Sequence, residues 1–481
     1  MRTTTLIKVS VTTLLFVVMT SITPPPALSA PIWGRLANPG FVNQRIKATL
    51  FFAGQALDGT NKYNCNPPPG CNAPNCPSPQ YTMIPLDDSN LKWSESADNR
   101  NTALKQMVRD GINVINMSSW GEDFLPCAWV TGAAPMQTAP GAQDELFTAA
   151  VGKPLLIVPF LESRDGQYPW HFRDEFPQNS QGQTAPLTVS QIVNLINRYL
   201  KNPNHPEWAQ KWARMYDQTG AERYAIAVIH ASSNNLNSGD DAQFAAGFDA
   251  IATAVSMQTQ INVGFFIDAL PPGTNAPGNF KPSSKYTGPE LRKSQSLLGI
   301  ECFVPEVWTG SSDTPTVINW KRDFSSGWFQ TGIPFVMDVS PGYDNHLVFP
   351  NTAIHYGMTT DWLCQLAQMI NDYGQAGMVF NAWNGYTEGI AAVPIQNYNN
   401  LFYDWLRSLQ YADVYAQKPD APLPRNGTWA CPYTLDEAIQ HVPVGRTIGL
   451  LPTTTTPFDA PITLTKNCTI ISLGGNAKIG P

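Results

Sequence analysis

From residue 46 onward the chain alternates short apolar, β-branched runs with longer amphipathic ones. Eight runs have the length of a strand: 47–55, 112–120, 154–163, 224–233, 261–270, 298–308, 333–344 and 377–389. They are continuously apolar rather than alternating, which is how parallel strands buried on both faces read. Helical periodicity fills most of the gaps. The stretch 101–111 precedes the second run, with Gly111 placed as a C-terminal cap. Segments 187–200, 240–260 and 359–377 precede the fourth, fifth and eighth, and 397–417 supplies a final helix with Leu401, Trp405 and Leu409 on one face.

Eight strands alternating with helices is the count of a (β/α)8 barrel in the α/β class. A doubly wound open sheet alternates in the same way. That fold advertises a glycine-rich phosphate turn after its first strand, and FFAGQALDGT is not one. The barrel is expected over residues 31–417. Two regions fall outside the repeat. Residues 56–95 form a Cys- and Pro-rich insertion after the first strand, and 418–481 begin as a linker and continue as a small β-rich appendage.

The ends and the composition narrow the class. Arg2 and Lys8 precede a short apolar run at 14–19, and Ala27-Leu28-Ser29 offers small residues for cleavage, so 1–29 reads as a signal peptide with the cut after Ser29. An exported, soluble chain without a membrane anchor is the expectation, acting as a monomer. With 11% aromatic residues, 14% charged residues and a net charge of −7, the chain suits neither disorder nor nucleic-acid binding. Six histidines without an HExxH or similar set give no zinc site, no EF-hand spacing suggests calcium, and no cofactor is indicated. A serine hydrolase is excluded by the lack of a GxSxG elbow.

The eight cysteines suggest disulfides in an oxidising compartment. Cys65, Cys71 and Cys76 read as a loop staple with Cys127 as a candidate partner, Cys431 and Cys468 as a C-terminal pair, and Cys302 and Cys364 as buried free thiols. Asn426 and Asn467 each begin an acceptor sequence for glycosylation.

Barrel chemistry gathers where the C-terminal ends of the strands converge. Those ends carry Trp120, Glu122 and Asp123; Glu162 and Asp165; Asp268; Glu306 and Trp308; Asp338, Tyr343 and Asp344; and Asn381, Trp383, Asn384, Tyr386 and Glu388. Flat aromatic rings stack on the C–H faces of sugars, carboxylates accept from their hydroxyls, and glycosidic cleavage needs two carboxyl groups in different protonation states. Taken singly, each of these residues reads more readily as rim packing or a solvated acid; their common placement at one mouth favours the site.

SPGYD at 340–344 and FNAWNGYTEG at 380–389 resemble the motifs of glycoside hydrolase families 71 and 99, and still more those of a secreted group related to them. The resemblance implies an endo-acting glycosidase on an α-linked polysaccharide or glycan, with two acids on the last strand. Aligned on W-N-x-Y-x-E, Glu388 matches the second acid while Gly385 stands at the first. Aligned on N-E-W, Ala382 replaces the first acid and Glu388 requires an insertion. The expectation is therefore Glu388 as general acid/base, with Asp268 or Glu306 as the second carboxylate. Trp120, Trp308, Tyr343, Asp344, Asn381, Trp383 and Tyr386 are the candidate sugar contacts. The missing acid makes a non-catalytic carbohydrate-binding barrel the alternative, and a secreted scaffold for the cysteine-rich loop a third reading.

Overall fold

Ile46–Phe51 forms β1, and its alternate residues Ile46, Ala48 and Leu50 are as buried as Thr49 and Phe51 between them. A strand flanked by others, with core on one side and helices on the other, must be apolar on both faces. The computed structural model describes residues 32–52, 96–119, 141–162, 186–229, 240–268, 288–346, 353–385, 389–393, 395, 398, 401–411, 414–418, 425–451, 457–458, 462–465 and 467–472. The expected signal peptide, the insertion 56–95, Cys65, Cys71, Cys76, Cys127, Trp120, Tyr386 and Glu388 lie outside the described residues, as does the side chain of Trp308.

The strands follow as β2 (Val114–Ser119), β3 (Leu156–Glu162), β4 (Arg214–Tyr216), β5 (Glu222–Ile229), β6 (Val263–Ile267), β7 (Leu297–Glu301), β8 (Phe335–Val339), β9 (Gly342–Asp344), β10 (His355–Gly357) and β11 (Gly377–Phe380). Parallel pairing runs β1–β2–β3–β5–β6–β7–β8–β11 and returns from β11 to β1, so eight strands close a ring. This is the (β/α)8 barrel. All eight apolar runs of the sequence supply its strands. The short β4 adds antiparallel to β5, and β9 pairs with β10 as a hairpin after β8.

The helices are α1 (Ala97–Arg109), α2 (Gly141–Ala150), α3 (Pro186–Tyr199), α4 (Asp240–Thr259), α5 (Thr314–Thr331), α6 (Thr360–Tyr373) and α7 (Leu401–Tyr411). Ser96, Asp313 and Thr359 cap α1, α5 and α6 by accepting from backbone amides three residues on. Gly111, at φ +80°, follows the Asp110 cap of α1 in the left-handed conformation that glycine adopts most readily. Among the described residues no helix is long and apolar enough to cross a membrane.

Beyond the barrel, β12 (Val414–Ala416), β13 (Thr447–Leu450) and β14 (Thr469–Ser472) form a parallel sheet with helix α8 (Leu435–His441). The appendage thus carries one short helix beside its three strands. Val414, Leu435, Ile439, Ile448, Leu450 and Phe458 give it a core of its own. A disulfide ties it to the barrel. Cys364 of α6 bonds Cys431, with Cα atoms 5.7 Å apart, and Cys468 is free. The expected Cys431–Cys468 pair and the free Cys364 are thus both corrected, because the buried helix face brings Cys364 to the appendage; Cys302 is a buried thiol, as expected.

Candidate active site

Ile267 of β6 pairs with Ile300 of β7, so Asp268 and Glu301 are the next neighbours in register and share a face. Neighbouring strands run about 4.8 Å apart, which sets these two acids side by side. Glu301 points into the barrel, where it accepts from the Asn116 side-chain amide of β2 on the opposite wall. Both acids are nearly removed from water, at 5% exposure for Glu301 and 9% for Asp268. Burial pushes the Glu301 carboxyl up to about 8. The Asn116 hydrogen bond works against that rise, and the charges of Asp338 and Asp268 add to it. Glu301 therefore keeps its proton at neutral pH.

Asp338 lies near the end of β8, two residues beyond Val336, the partner of Glu301. Its Oδ1 accepts from Val304 N at 3.1 Å and from the Asn381 side-chain amide, and its Oδ2 lies 2.5 Å from the Lys321 ammonium of α5. That ammonium also lies 2.6 Å from Glu306 Oε2. Glu306 stands in the short 3-10 turn Pro305–Thr309 after β7 and is completely buried. Burial raises its carboxyl to about 7 despite the Lys321 charge, with the Asp338 charge adding to the rise.

The motif region after β8 and β11 is built differently. Asp344, on the β9–β10 hairpin, is buried, while the His346 and His355 side chains beside it are 52% and 59% exposed. Their ring nitrogens sit 2.5 and 3.1 Å from its two oxygens. Burial pushes the Asp344 carboxyl up, but the hydrogen bonds from His346 and His355 outweigh it and hold the group below its ordinary value. Tyr343 is buried and stacks with Tyr356, ring centres 6.0 Å apart. The chain after β11 keeps pairing with β1. Trp383 N donates to Leu50 O, and the Asn384 side-chain amide exchanges two hydrogen bonds with the Phe52 backbone, each 2.9 Å. Gly389, at φ +66°, packs against Asp344, with 3.0 Å from its would-be Cβ to Asp344 Cβ. The loop after β11 thus meets the SPGYD hairpin at Gly389.

Several expectations change. Trp383 is fully buried and packs edge-on to Tyr403, so its indole is a core side chain rather than an open sugar platform. Tyr343, 4% exposed, is likewise turned into the packing. Glu306 is locked on Lys321 and closed to solvent, which leaves Asp268 as the more accessible of the two proposed partners. Asn381 is buried and serves Asp338. The missing motif acid has no empty seat: a Cβ at Gly385 would fall on Ile390 Cγ1, and both Ile390 and Ala382 are fully buried.

Glu301, Asn116 and Lys321 did not stand out in the sequence. Each carries a faint signal. Glu301 is a lone acid in LLGIEC and Asn116 a lone amide in VINM, both inside apolar strands. Lys321 falls four residues after Val317 and three before Phe324, on the buried stripe of α5. Among the described residues no group of three or more His, Cys, Asp or Glu side chains could hold a metal ion.

No protein-family model matches the sequence, and no curated protein does. Solved structures with a similar course include a GH99 endo-alpha-mannosidase from Bacteroides thetaiotaomicron, at 13% identity and a TM-score of 0.47, covering 76% of this chain and 98% of that one. An exo-beta-1,4-mannosidase from Opitutaceae bacterium strain TAV5 aligns at 12% identity and a TM-score of 0.43, over 88% of this chain and 75% of that one. A broad-specificity endoglucanase from Ruminococcus champanellensis follows at 11% and 0.37, over 66% and 88%. Likeness at this level does not reach chemistry, which rests on the chain's own residues.

Proposed function

We propose that the chain is a glycoside hydrolase that cleaves an O-glycosidic bond in a polysaccharide or glycan, with Glu301 as proton donor and Asp268 as its partner acid. The observation that carries this reading is a buried acid holding its proton to about pH 8 beside a second acid in register, at the barrel end where strand termini converge. Two carboxyl groups driven apart in protonation by their surroundings are what acid-assisted glycoside cleavage requires. Asp344, with the exposed imidazoles of His346 and His355, offers polar contacts to sugar hydroxyls on the rim. Glu388, the acid to which the motif likeness points, is proposed as a further carboxylate of the same mouth. Endo-action on α-linkages comes from that likeness alone, and export as a monomer from the N-terminal segment and composition.

A hydrolysis screen on a polysaccharide array tests this, comparing the unaltered protein with Glu301→Gln, Asp268→Asn and Glu388→Gln. Loss of a general acid costs about 10²- to 10⁴-fold. Full activity in Glu301→Gln removes Glu301 from the mechanism. A non-catalytic carbohydrate-binding barrel is the second reading, favoured by the closed packing at Gly385 and Ala382. Glycan binding by the unaltered protein, with no cleavage of any array member, decides for it.

A further inference from the structure

We propose that Lys321 is a positioning residue for this mouth: its ammonium, carried in from α5, joins Glu306 and Asp338 into one fixed charged unit and so sets the charge that Asp338 presents to Glu301. On the buried stripe of α5, Val317, Ile318, Trp320, Phe324 and Trp328 are apolar and Lys321 is the charged member, at 1% exposure. Withdrawing an ammonium from water costs several kcal/mol, and an apolar side chain at such a site is often no less stable. The placement therefore calls for a reason other than packing.

The geometry supplies it. Both oxygens of Asp338 are held, Oδ2 by Lys321 and Oδ1 by Val304 N and the Asn381 amide. Glu306 is held at Oε2 by Lys321, with the Ser340 hydroxyl 3.4 Å from Oε1. From β10, Tyr356 faces the same pair; its phenol is pushed well above its ordinary value by burial and then by the Glu306 and Asp338 charges, so it stays neutral. Tyr343 lies behind it, and Asp268 and Glu301 complete the titratable groups of this floor. Lys321 lies against Asp338 and so offsets part of the negative charge that Asp338 brings to bear on Glu301. Without Lys321 that offset is lost, and Glu306, already raised to about 7, rises further.

The first test needs no activity, so it stands apart from the glycosidase reading on which the kinetic part rests. Melting temperatures of Lys321→Met and the unaltered protein are compared at about pH 5.5 and about pH 8.5, where carboxyl groups of raised pKa change state. The deficit of the variant is expected to widen by about 5 °C or more at the higher pH, and Glu306→Gln in the same background to close most of that widening. A deficit equal at both pH values overturns the proposal. If Lys321→Met does not fold, Glu306→Gln alone decides: a melting temperature raised at the higher pH and unchanged at the lower supports it, and a larger loss at the higher pH overturns it. In hydrolysis, the alkaline limb of the pH profile should move up by about one unit in Lys321→Met and return in Lys321→Arg. An unmoved limb overturns the charge-setting role. An unaltered protein inactive on every glycan overturns the glycosidase reading instead, and leaves the melting data to decide for Lys321.

Discussion

Glu301 and Asp110 are two buried acids at opposite ends of one barrel, and burial lifts each to about 8. Asp110 caps the C-terminus of α1, where the chain enters β2 from the barrel's N-terminal face. Its surroundings are those of a structural joint. The charges of Arg407 and Arg109 and the Tyr403 hydroxyl ease it, and Asp404 opposes them. Glu301 instead ends a strand on the C-terminal face, with Asp268 in register beside it and Asp338 on the next strand. A raised pKa alone therefore does not mark chemistry. What separates the two acids is the company each keeps and the face on which it stands.

The widest separation is expected in activity. Glu301→Gln should lower hydrolysis by about 10²- to 10⁴-fold, whereas Asp110→Asn should leave it within about twofold. Equal losses in both variants, read in one assay, would erase the distinction between mouth and joint.

Stability should treat the two acids alike. Each has a folded-state pKa raised above its unfolded value, so the folded chain holds a proton that the unfolded chain releases over the interval between. Stability then falls as pH climbs from about 4 through about 8 and levels off above. For Glu301 the full span is at most about 5 kcal/mol. Asp110→Asn and Glu301→Gln should therefore each raise the melting temperature at about pH 9 and change little at about pH 5. A gain at both pH values would show that the carboxyl groups are not neutral in the folded protein at neutral pH.

The barrel was legible because its strands are buried on both faces and so stand out as apolar runs. Helices α2 and α5 were not, since α5 carries Ser, Gly and Thr among its apolar positions and α2 is short. The site was legible by face and less so by residue. Sequence places Trp383 at a strand end, but only the continued pairing with β1 shows that its side chain turns into the core. It likewise hides Glu301, because one acid inside an apolar strand looks like an exception until Asn116 is found across the ring. Cys364 looked like a lone helix thiol for the same reason: a partner 67 residues on depends on Cα separation, which spacing along the chain does not reveal.

The motif likeness invites a repair, and Gly385→Asp would restore the acid of the W-N-D-Y pattern. It should not restore function. The new Cβ meets Ile390, itself fully buried, and a carboxylate placed there has no water. A loss of about 1–3 kcal/mol is expected from the overlap alone, with no gain in rate. Higher activity in that variant would return the mechanism to the loop after β11 and demote Glu301.

The smallest effect belongs to the joint. Tyr403 lies on α7, is 6% exposed, and has its phenol pushed up to about 12 by burial and by the Asp110 charge. Removing the hydroxyl in Tyr403→Phe takes away a phenol that eases the Asp110 charge and leaves the ring in place. A hydrogen bond to an ionised acceptor is about twice as strong as one to a neutral acceptor. The loss should therefore be under about 1 kcal/mol at about pH 6, where Asp110 is protonated, and about 1.5–3 kcal/mol at about pH 9. Denaturant melts at the two pH values measure it, with hydrolysis followed in parallel. A loss of equal size at both would mean that Asp110 does not change charge in this range, and a fall in hydrolysis would mean that the two ends of the barrel are coupled after all.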